Sequence, residues 1–298
     1  MMTNNRALRS FRVHQNENDI FLKVWEHPNK NDYVLVDPNI WVRNFTKHVS
    51  AATDLNNLYN ENEFELLLKN EMAASFFNVP YLSDVLTTNK NAVILNNGYG
   101  YKESKELIES LERDKYYIIC LNNTFKMWSN NKRRPDLFIV NNPYPDCLSQ
   151  IPQNTEGTQC ICSTRTNMNF YESYKGYILK YASTSNNNFV SGKIPATVTK
   201  LDEYRNPVCS AIHFCWLNKI KNILFVGCTV GTHDEREGTQ KYGEFYKLPS
   251  QIQSDKIIDA MLMWYKVGNK DATLCSYGKT GSFKFSTELD YEDLKKII

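Results

Sequence analysis

Ala92-Val93-Ile94-Leu95-Asn96-Asn97-Gly98-Tyr99-Gly100 is the stretch on which the fold turns: four apolar residues without alternation, then amides and a Gly-Tyr-Gly turn. An apolar run this short, with no polar face, is a strand buried on both sides, as parallel sheets make them. The pattern recurs downstream. Tyr116-Tyr117-Ile118-Ile119-Cys120-Leu121 ends in Asn122-Asn123, Leu137-Phe138-Ile139-Val140 in Asn141-Asn142-Pro143, and Gln159-Cys160-Ile161-Cys162 in Ser163-Thr164. Further runs are Ile223-Leu224-Phe225-Val226-Gly227 and Ala272-Thr273-Leu274-Cys275. Helical patterns intervene over residues 103–113, 207–218 and 255–266, the last with Ser254 as its N-cap. Strands alternating with helices predict an α/β fold, a Rossmann-like open, mostly parallel sheet with helices on both faces, over residues 91–298.

The first ninety residues read differently. Ile20-Phe21-Leu22-Lys23-Val24-Trp25 and Tyr33-Val34-Leu35-Val36 flank a Pro28-Asn29-Lys30-Asn31-Asp32 turn, which predicts a hairpin. Phe64, Leu67, Leu68, Met72 and Phe76 recur at helical spacing over residues 63–77. Pro80 and the polar Thr87-Thr88-Asn89-Lys90-Asn91 stretch mark a boundary, so a smaller α+β region over 1–90 is expected before the 91–298 domain.

A chain of 298 residues accommodates one large domain or two smaller ones. Its hydrophobic fraction of 42% and aromatic fraction of 13% exclude a disordered chain. With 35 basic against 33 acidic residues the net charge is +2, so there is no global basic field for a nucleic acid. No apolar run approaches the ~18 residues of a spanning helix. The opening Met1-Met2-Thr3-Asn4-Asn5-Arg6 lacks the apolar core of a signal peptide. The 8 cysteines have neither disulfide-framework nor zinc-ribbon spacing, and several sit inside apolar runs, where a free thiol acts as a small hydrophobe. Cys160-Ile161-Cys162 aims both thiols at one face of a strand, a weak metal signal. A reducing, cytoplasmic setting and no metal site are expected.

Ligands of open α/β sheets lie beyond the carboxyl ends of the strands. Those ends carry Asn97 and Gly98, Asn122 and Asn123, Asn141 and Asn142, and Ser163 and Thr164. Amides and hydroxyls donate to phosphate and sugar oxygens and accept from base amines. Gly98 and Gly100 permit close backbone approach. Asn also simply terminates strands, but three successive strands ending in it favour a nucleotide-type pocket. Neither G-x-G-x-x-G nor G-x-x-x-x-G-K-[ST] occurs, so neither a dinucleotide dehydrogenase nor a P-loop kinase is expected.

The order Val93-Ile94-Leu95-Asn96-Asn97-Gly98, Cys120-Leu121-Asn122-Asn123, Phe138-Ile139-Val140-Asn141-Asn142-Pro143 resembles the family-42 bacterial sialyltransferases. Cys160-Ile161-Cys162-Ser163, Lys221-Asn222-Ile223-Leu224-Phe225-Val226-Gly227 and Thr273-Leu274-Cys275-Ser276 continue in the same order. The MptE-like group (6-hydroxymethylpterin diphosphokinases and flagellin glycosylation factors) shares that scaffold. The similarity spans about residues 92–277 through motifs a few residues long. It implies a CMP-sugar-type pocket without a metal. Asn97-Gly98 would contact phosphate and ribose, Asn122 and Asn142-Pro143 the nucleotide and sugar, and Tyr242 and Tyr246 the phosphate. The MptE-like branch usually carries Asp for magnesium at the end of the third strand, where Asn141 and Asn142 stand here, so the resemblance leans to the glycosyltransferase branch. Two departures stand out: the family's Pro-Ser is Tyr99-Gly100, and its catalytic His is replaced within Leu248-Pro249-Ser250-Gln251.

A replacement base is sought in Gly231-Thr232-His233-Asp234-Glu235-Arg236-Glu237, the loop after the fifth strand. There His233 would take the acceptor proton with Asp234 beside it, and Thr232 would assist the departing phosphate. The same loop also reads as a solvated charged surface, or as a magnesium site through Asp234, Glu235 or Glu237. Asn206 presents a polar group at a helix N-terminus. His213 reads as a core histidine, and Lys126, Lys132, Arg133 and Arg134 as a solvated loop rather than a nucleic-acid contact. The expected function is metal-independent transfer of a sugar from a nucleotide-activated, CMP-sugar-like donor to an acceptor hydroxyl, with no resident cofactor. A glycan, protein or nucleic-acid acceptor and a homo-oligomer both stay open. The alternatives are an ATP- and magnesium-dependent diphosphotransferase acting on a small hydroxymethyl compound, and a catalytically inactive nucleotide-binding scaffold.

Overall fold

The apolar runs become neighbouring strands of one sheet. The computed structural model describes residues 11–16, 19–24, 61–74, 77–82, 90–122, 124–128, 132–183, 199–204, 206–229, 231, 237, 239–242, 245–278 and 283–297. Among the described residues nine strands form the sheet: β3 (Asn91–Leu95), β4 (Tyr116–Leu121), β5 (Leu137–Val140), β6 (Gln159–Ser163), β7 (Ile178–Ser183), β8 (Lys200–Leu201), β9 (Asn222–Val226), β12 (Thr273–Tyr277) and β13 (Thr287–Leu289). Their order is β13-β12-β9-β3-β4-β5-β6-β7-β8, and every pairing is parallel. The expected fold class stands.

Because the runs lack a polar face, alternate residues enter two separate cores. Ala92, Ile94, Ile119, Leu121, Leu137, Ile139 and Ile161 face the helices α5 (Pro207–Leu217) and α6 (Pro249–Gly268). Val93, Leu95, Ile118, Cys120, Phe138, Val140, Cys160 and Cys162 face the other side. There they meet α1 (Glu61–Ala74), α2 (Lys105–Glu109), α3 (Thr124–Trp128), α4 (Met168–Ser173) and α7 (Tyr291–Ile297). Each large side chain buried this way contributes about 1.5–3 kcal/mol of transfer free energy.

The chain steps outward from β3 to β8, returns through α5, and resumes at β9 on the opposite side of β3. The connection therefore reverses between β3 and β9, with Ile94 opposite both Ile119 and Phe225.

Several elements differ from expectation. Strand β2 (Asp19–Val24) forms a hairpin, but its partner is β1 (Phe11–Asn16), with Phe11 opposite Val24; Tyr33-Val34-Leu35-Val36 lies outside the described residues. Helix α6 begins at Pro249, not near 255, because a proline at the first helical position needs no N–H partner. Leu248 N–H donates to Gln251 Oε1, and Ser254 lies inside the helix rather than capping it. The helix expected over 103–113 is confined to Lys105–Glu109. Strands β7, β8 and β13 were not expected.

Helix α1 joins the sheet through its far end. Lys180, buried in β7, donates from Nζ to the carbonyls of Ala74 and Phe77, each at 3.0 Å. Its backbone pairs with Pro80 and Leu82.

Candidate functional site at the carboxyl edge of the sheet

The crevice at the reversal point is closed by backbone. Asn96 N–H donates to Val226 O and Gly98 N–H to Gly227 O, both at 2.9 Å. A Cβ on Gly98 would lie 2.3 Å from the Gly227 carbonyl oxygen; one on Gly227, whose φ is +62°, would lie 2.4 Å from Asn96 O. Gly100 (φ +88°) packs in the same way against Gly278 and the Tyr277 ring. The two glycines expected to admit a ligand thus fit the β3 loop against the loops after β9 and β12. Asn97 is exposed above them, its N–H turned to Asn96 Oδ1 at 3.0 Å.

The ends of β4 and β5 are linked through side chains. Asn122 adopts φ +41°, left-handed backbone that Asn tolerates better than most residues. Its Oδ1 accepts from Asn141 N–H at 3.3 Å, and its Nδ2 donates to Asn141 Oδ1 at 3.5 Å. Both amides are half-buried. Asn142 shapes the next turn, accepting from Tyr144 N–H at 2.9 Å and donating to Asp146 at 2.8 Å. Asn123 lies outside the described residues.

At the end of β6, Ser163 and Thr164 are buried. Ser163 Oγ accepts from Arg165 N–H and its carbonyl accepts from Tyr171 Oη, so both groups serve the interior. Behind them Arg165 joins Glu71 and lies 3.8 Å from Glu203. Burial pushes the Glu203 carboxyl above its ordinary pKa, and Arg165 opposes that rise.

Asn206 caps α5, accepting from Val208 N–H at 2.9 Å and donating to Ser254 Oγ at 2.6 Å. Its amide holds two helices together. Thr232, His233 and Asp234 lie outside the described residues. Tyr242 stands in β10 (Gln240–Tyr242), opposite Phe245 of β11 (Phe245–Lys247). Tyr246 is half-buried beneath Lys241.

His213 is a core residue: its Nδ1 accepts from Asp202 N–H at 2.9 Å, and burial lowers its pKa. Arg133 is buried against Asp136 and the Tyr116 carbonyl. Arg133 therefore meets the amino ends of β4 and β5, the edge opposite the Asn residues, whereas Lys126 stands in α3, just after the carboxyl end of β4. All eight cysteines are buried, and burial raises the thiol pKa at Cys120, Cys160, Cys162, Cys209, Cys215 and Cys228.

Beyond β12 and β13, a cavity of about 680 Å³ opens between the β3 loop and the start of α7, with Tyr99, Glu103, Tyr277, Glu288 and Tyr291 among its lining residues. The sequence signal was weak, because these residues come from three distant segments.

No known protein family matches the sequence, and no curated protein does. Among solved structures, the chain is similar to the MAf glycosyltransferase from Magnetospirillum magneticum AMB-1, with a TM-score of 0.59 over 77% of this chain at 13% identity. The chain matches 38% of that protein's length. The likeness is one of fold, shared with a glycosyltransferase, and does not extend to the sialyltransferase or MptE-like groups in particular. Among the described residues, no helix is long and apolar enough to cross a membrane.

Proposed function

We propose that the protein is a glycosyltransferase that binds a nucleotide-activated sugar, of CMP-sugar type, beyond the carboxyl ends of β3, β4 and β5. The observation that carries this reading is the linked Asn122–Asn141 pair at the carboxyl ends of β4 and β5, the strands next in order after β3. A likeness in fold to a glycosyltransferase supports it. In this proposal Asn97, Asn122 and Asn141 hold the donor, and no metal is required. The acceptor oxygen attacks the anomeric carbon as the bond to the phosphate oxygen breaks. The acceptor proton passes to His233, and the phosphate leaves with the bonding electrons.

A thermal-shift panel of CMP, UDP, GDP and ATP, with and without magnesium, tests the reading. Ligand at 100 times its dissociation constant stabilises by about 2.7 kcal/mol. Magnesium-independent stabilisation by CMP or a diphosphate nucleotide, lost in Asn141→Ala, is expected. A shift with ATP and magnesium alone would replace the proposal with a diphosphotransferase, and no shift at all with a scaffold lacking the pocket.

A further inference from the structure

We propose that the cavity beyond β12 and β13 is a carbohydrate subsite for a sugar ring without negative charge, and that it receives the acceptor; the acceptor role rests on the glycosyltransferase reading above. Its volume of about 680 Å³ falls within the range of small-molecule sites, and it opens on the same edge of the sheet as the Asn residues.

The walls have two kinds of chemistry. Tyr99, Tyr277 and Tyr291 bring three aromatic rings to the cavity, and those of Tyr277 and Tyr291 stand 6.4 Å apart at 52°. Ring faces receive the C–H side of a sugar, while hydroxyls and carboxylates exchange hydrogen bonds with its O–H groups. Glu103, Glu288, Asp290 and Asp293 also line the cavity, and among the described lining residues there is no Lys, Arg or His. Asp290 accepts from Asp293 N–H at 2.7 Å, and Asp293 pairs with Lys296 at 2.9 Å. Lys295 sits over the Tyr291 ring at 4.6 Å and pairs with Glu292. Glu103 and Glu288 are exposed at the mouth. Burial, then Glu103, raises the Tyr277 pKa, so its hydroxyl stays a donor.

Such a lining repels phosphate, so it is unsuited to the nucleotide end of a donor. The β3 loop separates the two regions. Gly98 packs against Gly227, and Gly100 packs against Gly278 and Tyr277 on the cavity side. The β3 loop thus carries Asn97 of the donor site and Tyr99 of the cavity two positions apart in sequence, the proximity that transfer between two bound sugars needs.

Saturation-transfer NMR on the full chain, with glucosamine, N-acetylglucosamine and glucuronate as probes, tests the inference, and the nucleotide panel is run in parallel. Glucosamine and N-acetylglucosamine are expected to bind, with glucuronate about tenfold weaker or worse. Tyr291→Ala should weaken the first two about tenfold, whereas Tyr291→Phe keeps the ring and should bind as the native chain does. Glu103→Gln combined with Glu288→Gln should narrow the discrimination against glucuronate. Absence of sugar binding in a chain that nucleotides still stabilise overturns the subsite and leaves the glycosyltransferase reading intact. Glucuronate binding as tight as that of the other two, or Tyr291→Ala binding unchanged, also overturns it. Sugar binding without any nucleotide stabilisation keeps the carbohydrate site and removes its acceptor role.

Discussion

Arg165 Nε donates to Glu71 Oε1 at 2.7 Å across 94 residues of sequence, with the two side chains only 3% and 8% exposed. The pair fastens α1 to the loop after β6, beside Asn70 Nδ2, which donates to the Pro143 and Arg165 carbonyls. Removing one partner of a buried ion pair costs about 3–5 kcal/mol when the other charge is left stranded; Arg165 keeps Glu203 at 3.8 Å, so losing Glu71 costs less than that limit. Glu71→Ala should therefore lower the urea midpoint strongly and Glu71→Gln by less. Equal midpoints for Glu71→Ala and the native chain would show that α1 does not depend on this contact.

The glycine pair at the reversal point predicts a second effect. Ala at 227 would hold an L-residue at φ +62° and place its Cβ 2.4 Å from Asn96 O. Strain of this kind costs of order 1–3 kcal/mol, so Gly227→Ala should melt several degrees lower. Ala at 157, also at positive φ but with nothing within 4 Å, carries the backbone term without the clash. Calorimetry on both variants should rank Gly227→Ala as the more damaging, and the reverse order would refute the close packing.

Asn122 offers a way to separate binding from folding. Glycine accepts φ +41° without penalty, so Asn122→Gly should keep stability within about 1 kcal/mol while deleting the amide bonded to Asn141. Nucleotide-induced stabilisation should vanish in this variant. Undiminished stabilisation would remove Asn122 from the donor site.

Asp259 makes stability depend on pH. Burial raises its pKa to about 6, against a partial offset from the Lys284 N–H bond and the Lys284 charge. The folded value lies above the unfolded one, so the folded state favours the protonated form. Stability from this group is present below about pH 4 and is lost as pH rises through about 6. Asp259→Asn should then raise stability by about 1 kcal/mol at pH 7.5, allowing for solvent screening of a half-buried group. It should make little difference at pH 4.5, and melts at the two pH values check this. A variant less stable than native at pH 7.5 would show that the ionised carboxylate is favoured.

Strands β3, β4, β5, β6, β9 and β12 were legible because each is an apolar run closed by a polar residue or, in β9, by Gly227. Strand β7 escaped because Lys180 interrupts Ile178-Leu179 and Tyr181-Ala182. A lysine in a buried strand makes sense only once the Ala74 and Phe77 carbonyls stand opposite its ammonium. Strand β8 has two residues, too few to carry a pattern. At the site, the Asn residues ending β4 and β5 were recognisable one at a time. Their mutual hydrogen bond was not, since it depends on β4 and β5 being neighbours.

Local residue order was enough to specify a parallel sheet with helices on both faces: unbroken apolar runs have no solvent face, and a strand buried on both sides needs cover on both. Neighbourhood in space was decided by tertiary packing. The pairing of Ile94 with Phe225 spans more than a hundred residues, and both side chains enter the core that α5 and α6 cover. From that packing come the reversal between β3 and β9, the glycine contacts that close it, and the tyrosine-walled cavity. Each joins segments whose only common property is where the sheet brings their ends.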